Sequence, residues 1–558
     1  MAGSRPARVA IHEQFRADGV QYMFGNPGTV EQGFLDELRD FPDLQYVLAL
    51  QEAVVVGIAD GYARATRKPA LLQLHSGVGL GNGIGMLYQA MRGHAPLVCI
   101  VGESGLAYDS MDAQMAADLV GMAKPVTKWA TRVVDPQSTL RVLRRAFKVA
   151  GTPPYGPVLV VLPADVMDQE TTEDAVPTSY PTTTSVPDAA WVEQAAALLA
   201  PARHPLILAG DGVHFSGAQG ELAEFAEAWG ATVWGADWAE VNLPASHPLF
   251  GGQLGHMFGE ASAKVINPAD GVLIVGTYTL NEVYPLLDGV FAPDAKVVHV
   301  DLDSGAIAKN FPVDLGLLAD PKATLPRLTE ALRRRQTGEQ KADAAGRLTN
   351  ATQQRKIAEL EKAALDIAGV GHDPLCAELF GWELAKHLPT DAVLFDEALT
   401  SSPGLFRHLP ADVPGQWHQT RGGSLGVGIP GAVGAKLAHP EREVIGFTGD
   451  GGSMYTVQAL WTAARYGIAA KFVICNNGRY KLLDLNIEEY WKTVHVEHHE
   501  FPGPFDLDHP AIDFVKLAES LAVPAVRVEK PEQVAPAITR MLAHNGPFLI
   551  DLVIGRTA

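Results

Sequence analysis

The chain has 558 residues, 47% of them apolar and 19% charged, with a formal net charge of −20. At roughly 100–200 residues per domain, that length suggests about three domains with sizeable cores and excludes a disordered chain. An acidic chain without a Lys/Arg run repels phosphate backbones, so nucleic acid is not expected as a general partner.

Three cysteines, Cys99, Cys376 and Cys475, lie far apart and form no CxxC pair. That usage fits a reduced, cytoplasmic protein. The first twenty residues carry charges every few positions and lack an apolar core of the secretory kind. No run of about 18 apolar residues predicts a membrane span.

In chain order, FGNPGTVEQGF (24–34) reads as a Pro-Gly turn, with the Thr29 hydroxyl a candidate helix cap or site group. LALQEAVVVGIADGYARAT reads as a helix opened by Glu52. That acid is either a solvated first-turn residue or, given Val54, Val55 and Val56, a buried one. LLQLHS reads as a strand ending at His75, before a glycine-rich stretch read as a loop. A histidine there is either structural or placed for proton transfer at a sheet's carboxyl edge.

PLVCIVGE, PVLVVLP, PLILAGDGV, GVLIVGT, KVVHVDLD, AVLFDE, EVIGFTGD, AKFVICNN and PFLIDLVIG read as further buried strands. The Thr/Pro-rich residues 168–188 read as a surface linker. The charged residues 333–372 read as a connector whose second half is a candidate exposed helix. Near-continuous apolar strands separated by helices predict an α/β protein of three doubly wound parallel-sheet domains, 1–180, 190–335 and 370–558.

Within EVIGFTGDGGSMYTVQALW, a lone acid, Asp450, follows a strand between Gly449, Gly451 and Gly452. Glycines permit a tight turn and close ligand approach, and the next helix offers free N–H groups to an anion. A lone acid beside an anion site makes sense if Mg²⁺ bridges them. After the next strand come Asn476 and Asn477, whose amide oxygens suit the same cation. Each turn alone has an ordinary structural reading; the two together, at the ends of strands joined by one helix, favour a diphosphate and metal site. LGVGIPG (425–431) matches G-x-G-x-x-G literally, but no apolar strand precedes it and a proline interrupts it, so it is not read as a dinucleotide fingerprint.

Taken together, GNPGT, LQEAVVVGIADGYA, LHSGVGLGN and GDG…NN closely resemble thiamine diphosphate-dependent enzymes of the 2-oxo acid decarboxylase and acetohydroxyacid synthase superfamily, benzoylformate decarboxylase in particular. The resemblance spans almost the whole chain. It implies a pyrimidine-binding, a middle and a diphosphate-binding domain, and self-association as a dimer or tetramer with active sites between chains. It assigns Mg²⁺ to Asp450, Asn477 and the Arg479 carbonyl, and the diphosphate to Gly451, Gly452 and Ser453. It further implies that Leu425 bends the cofactor, the Gly423 carbonyl accepts from the aminopyrimidine, Glu52 hydrogen-bonds the pyrimidine, and His75 moves protons.

The implied reaction is non-oxidative decarboxylation of a 2-oxo acid through ylid attack and an enamine, with the thiazolium as electron sink. The alternative is a carboligase forming acyloins or acetohydroxyacids; a regulatory cofactor-binding protein is disfavoured by the intact Glu52. The chain departs from benzoylformate decarboxylase in having Thr29 where that enzyme has Ser. It also has no histidine in VGTYTLNEVYPLLDG (275–289), the region supplying that enzyme's second histidine. His256 is a weak substitute, for which a structural role is expected. RYKLLDLNIEEYW (479–491) is a candidate cover for the pocket. HVEHHE (495–500) is read as a solvated polar loop in preference to a metal cluster.

Overall fold

A computed structural model describes residues 3–554 apart from 112, 237, 279, 281, 370–374 and 410, with side chains 364–369 also outside the description. The chain divides into two compact units, residues 1–181 with 371–409 and 420–558, and residues 182–370 with 410–419.

In the first unit, the N-terminal sheet contains β1 (Tyr22–Gly25), β2 (Gln45–Leu48), β3 (Ala70–His75), β4 (Leu97–Glu103), β5 (Trp129–Arg132) and β6 (Val158–Pro163). They lie in the order β2-β1-β3-β4-β6-β5, all parallel. The second unit repeats the plan with β7 (Pro205–Ala209), β8 (Thr232–Gly235), β9 (Phe250–Gln253), β10 (Gly271–Val275), β11 (Lys296–Asp301) and β12 (Leu315–Leu318), in the order β9-β8-β7-β10-β11-β12. Back in the first unit, β13 (Val393–Glu397), β14 (Val444–Gly449), β15 (Lys471–Asn476), β16 (Ala525–Val528) and β17 (Phe548–Val553) pair in parallel as β13-β14-β15-β17-β16. These are the expected doubly wound α/β sheets.

Every apolar run singled out in the sequence is a strand. Of these seventeen strands, the unforeseen ones are β1, β2, β5, β8, β9, β12 and β16. Five of these are sheet edges, where one flank stays open and the side chains need not be uniformly apolar. β5, for example, is only half-buried along its length.

Two expectations change. The stretch SGVGLGNGIG after His75 is no loop but the start of a helix, Ser76–Arg92. Three of its glycines face close neighbours: a Cβ at Gly83 would come 3.0 Å from Leu74, one at Gly77 3.1 Å from Ala117 and one at Gly79 3.2 Å from Glu52. Packing against β3 and the Glu52 helix thus overrides the weak helix propensity of glycine. The connector region contains a 32-residue helix, Gly338–Gly369. It is fastened to the second unit's core by Arg347, which donates to the Gly230 carbonyl at 3.0 Å and the Trp229 carbonyl at 2.8 Å. In the linker region, Glu170–Thr171 pairs antiparallel with Arg5–Pro6 before the irregular stretch begins.

In the first unit, α1 (Glu52–Thr66) crosses α2 (Gly428–Ala438). The backbones come so close that a Cβ at Gly61 would stand 2.1 Å from the Gly431 carbonyl oxygen, and one at Gly434 2.0 Å from that of Ile58. One apolar core runs through the crossing, joining Val54, Ile58 and Ala59 to Val427, Ala432 and Val433. Gly61→Ala should therefore push the helices apart and destabilise the fold by about 1–3 kcal/mol, seen as a lower denaturant midpoint at unchanged slope.

Candidate active site

Asp450 stands one residue beyond β14, at the carboxyl edge of the C-terminal sheet, where open α/β sheets bind ligands. It is 4% exposed. Oδ1 accepts the Gly451 N–H at 2.8 Å and Oδ2 the Gly478 N–H at 2.6 Å. The second bond joins the GDG turn to the turn after β15. Burial pushes the carboxyl up while these backbone N–H groups pull it down. No cationic side chain pairs with it among the described residues. At the adjacent strand end, Asn477 Oδ1 accepts the Arg479 N–H at 3.0 Å. The Arg479 side chain is turned away to the buried Asp484, at 2.9 Å through both nitrogens.

The helix expected straight after Asp450 is only one turn, Asp450–Ser453, and the next helix begins at Ala459. Ser453 is buried and donates to the Asp450 carbonyl at 2.7 Å, tightening that turn. Protein packing gives the glycines around Asp450 a reason of its own. A Cβ at Gly451 would strike the Tyr480 ring at 2.3 Å, and one at Gly452 would lie 3.1 Å from the Thr448 hydroxyl, so protein neighbours demand both. Gly449 alone of the three faces open space.

Gly423 also faces open space, with φ +72°. Leu425 is half-buried two residues on, just before α2. Below it, the fully buried Glu397 at the end of β13 accepts N–H bonds from Gly426 and Gly428. Burial pushes the Glu397 carboxyl up to about 7.

The N-terminal domain places its own group of residues. Gln51 caps α1 by accepting from the Val54 N–H at 3.2 Å, which puts Glu52 in the first turn. Glu52 is 7% exposed, so the buried alternative holds. Its two oxygens accept from Asn26 Nδ2 at 3.1 Å and Asn82 Nδ2 at 3.0 Å. His75, at the end of β3, lies just across Gly79: a Cβ there would be 3.2 Å from Glu52 Oε1 and 3.3 Å from His75 Cβ. Thr29 is exposed on the turn nearby in sequence.

One buried acid that the sequence pattern does not single out is Glu31. It is 1% exposed and sits 3.0 Å from His75 Nδ1 through Oε2, which also accepts the Gly28 N–H at 3.1 Å. Burial pushes its carboxyl up against the opposing pull of His75. A carboxylate at Nδ1 makes that nitrogen the donor and leaves Nε2 to give or take a proton. The only hint in sequence was an acid next to the GNPGT turn; the pairing itself spans 44 positions.

Past the metal-type turn, Lys481–Thr493 is a helix with Leu483, Leu485 and Tyr490 exposed. The HVEHHE stretch folds back on it, with His499 4.3 Å and His498 5.3 Å from the Trp491 ring by centroids. His256 is exposed in the second unit. Of the 275–289 segment, positions 279 and 281 lie outside the described residues.

Models of three thiamine pyrophosphate enzyme domains match the chain: the N-terminal TPP binding domain at residues 7–122, the central domain at 192–328 and the C-terminal TPP binding domain at 400–552. The chain belongs to the thiamine pyrophosphate enzyme family. Within it, the chain is 31% identical over 549 residues to a benzoylformate decarboxylase from Pseudomonas aeruginosa, covering 97% of this chain and 98% of that one. It is also 31% identical to an acetolactate synthase from Mycobacterium avium, covering 97% and 86%. A thiamine diphosphate-dependent 4-hydroxybenzoylformate decarboxylase from Rhodococcus jostii RHA1 superposes with a TM-score of 0.84 at 26% identity, covering 99% of each chain. The protein is thus a thiamine diphosphate-dependent enzyme of the decarboxylase and acetolactate synthase group.

The residues present fit that cofactor with a hard divalent cation. A buried carboxylate without a cationic partner among the described residues and a neighbouring amide oxygen would offer all-oxygen donors, which suit Mg²⁺. Open space over Gly423 and Gly449 leaves the backbone approachable. Because Glu31 orients His75, Glu31→Ala should lower turnover by on the order of 10-fold or more with little change in cofactor affinity, as steady-state kinetics and cofactor titration would measure.

Proposed function

We propose that the protein is a Mg²⁺-dependent, non-oxidative 2-oxo acid decarboxylase. The observation that carries this reading is the pairing of His75 with Glu31 beside the buried Glu52, together with the Asp450 carboxylate and the Asn477 amide oxygen at adjacent strand ends. When bound, thiamine diphosphate supplies a carbon nucleophile and an electron sink for the departing CO₂.

The chain's own residues do the rest. Asp450, the Asn477 amide oxygen and the Arg479 carbonyl would hold Mg²⁺, with Gly451, Gly452 and Ser453 forming the turn beneath the diphosphate. Leu425 would support the bend between the two rings, and the Gly423 carbonyl would accept from the aminopyrimidine. Glu52, whose carboxylate is aligned by Asn26 and Asn82, would accept from the pyrimidine ring. His75 would exchange a proton with substrate through Nε2. Thr29 offers a hydroxyl on the adjoining turn. Glu52 and His75 of one chain would complete the metal-binding half of another in a homodimer or homotetramer.

Acetolactate synthase relatives at the same identity support a second reading, carboligation. The two differ in what ends the reaction: a proton gives an aldehyde, whereas a second carbonyl compound gives a hydroxyketone.

A panel of 2-oxo acids, aromatic and aliphatic, incubated with thiamine diphosphate and Mg²⁺ should release CO₂ and an aldehyde. A hydroxyketone as the main product would favour the synthase reading, and no CO₂ from any acid would refute both. Asp450→Ala should weaken Mg²⁺-dependent cofactor binding. Glu52→Gln should leave most of that binding and lose turnover by about 10²-fold or more, which titration and kinetics separate.

A further inference from the structure

Glu397 is a charged-type residue in a place that costs free energy. It ends β13, level with Thr448 on β14, and is 1% exposed. Among the described residues its partners are N–H and O–H groups, with no guanidinium or ammonium to offset the desolvation of a carboxylate.

Those partners are concentrated on one turn. Oε1 accepts the Gly426 N–H, and Oε2 accepts the Gly428 N–H at 2.5 Å and the Thr448 hydroxyl at 3.3 Å. The Gly426 carbonyl is held separately by the Thr456 hydroxyl at 2.5 Å. Gly426 has φ +101°, where a side chain is strained, and a Cβ there would meet Tyr455 Cβ at 2.7 Å. The residue after Leu425 is therefore pinned on both its N–H and its carbonyl. On its other side Glu397 borders the metal-type turn: a Cβ at Gly452 would lie 3.4 Å from Oε1. One carboxylate thus stands between the turn that carries Leu425 and the turn that carries Asp450.

A helix start needs no such residue, since an exposed Ser or Asp caps it at little cost. What burial adds is rigidity between two turns that are about 25 positions apart in sequence, a fixed spacing of the kind that preorganised sites need. We propose that Glu397 is a positioning residue: by clamping Gly426 and Gly428, it sets Leu425 and the Gly423 carbonyl at the right distance from the diphosphate seat. This rests on the roles given to Leu425 and Gly423 under the proposed function.

Glu397→Gln tests it. An amide keeps the size but turns an NH₂ towards one of the two N–H groups, so one clamp bond is lost and a donor faces a donor. The full-length protein loaded with thiamine diphosphate and Mg²⁺ is assayed for two quantities, cofactor Kd and the rate of hydrogen–deuterium exchange at the thiazolium C2 carbon. Exchange reads alignment of the bound rings without any substrate. The expected result is exchange slowed by about 10-fold or more with Kd within about threefold of wild type. Leu425→Ala should show the same separation.

Wild-type exchange in Glu397→Gln, or Kd and exchange lost in equal proportion, would overturn the role. If Glu397→Gln does not fold, Thr456→Val decides, since it removes only the hydroxyl bond to the Gly426 carbonyl. Slower exchange at unchanged Kd supports the clamp, and a wild-type rate overturns it. Absence of exchange in the wild-type protein itself would instead overturn the proposed function, and this inference with it.

Discussion

The close crossing of α1 and α2 is the contact on which the site-bearing unit depends. Both helices begin at candidate site residues, one at Glu52 and the other three residues after Leu425. Their backbones approach at Gly61 and Gly434, where a single methyl group would not fit. Close approach brings extensive dispersion contact and excludes water from the shared core of Val54, Ile58, Val427 and Val433. The rest of both domains is built outward from that seam, each sheet presenting its carboxyl edge with polar groups whose orientation the core fixes.

On each edge the same physical device recurs. A buried carboxylate is oriented by backbone N–H groups or amides rather than by a cation: Asp450 by Gly451 and Gly478, Glu397 by Gly426 and Gly428, Glu52 by Asn26 and Asn82. Glu31 differs in facing a histidine. A carboxylate held by neutral donors keeps its charge available to a ligand, whereas one in an ion pair has already spent it on the protein. No described helix is long and apolar enough to cross a membrane.

Much of the site was legible because its signals are local. Asp450 and Asn477 lie at the ends of consecutive parallel strands, so strand, turn and helix patterns place them side by side without further information. Glu52 and His75 were legible for the same reason, each closing or opening an element. Glu31 and Glu397 were not. Their partners are 44 and about 30 positions away, and nothing in either stretch distinguishes a clamping acid from a solvated one. The glycines misled in an instructive way. Those after His75 promised a loop and form a helix, and Gly451 and Gly452 also make room for Tyr480 and Thr448. Glycine marks a close approach in sequence but does not say what approaches.

The sequence by itself determined the α/β class, the central strands and the family, because strand burial and the GDG…NN spacing are written along short stretches of chain. Only the tertiary structure decided which acids are buried, which hydrogen bonds orient them, and that His75 has a carboxylate behind it and the turn after Leu425 a buried glutamate bound to its N–H groups. Those are contacts between segments distant in sequence, set by how two helices with glycine faces pack and not by the local pattern of either one.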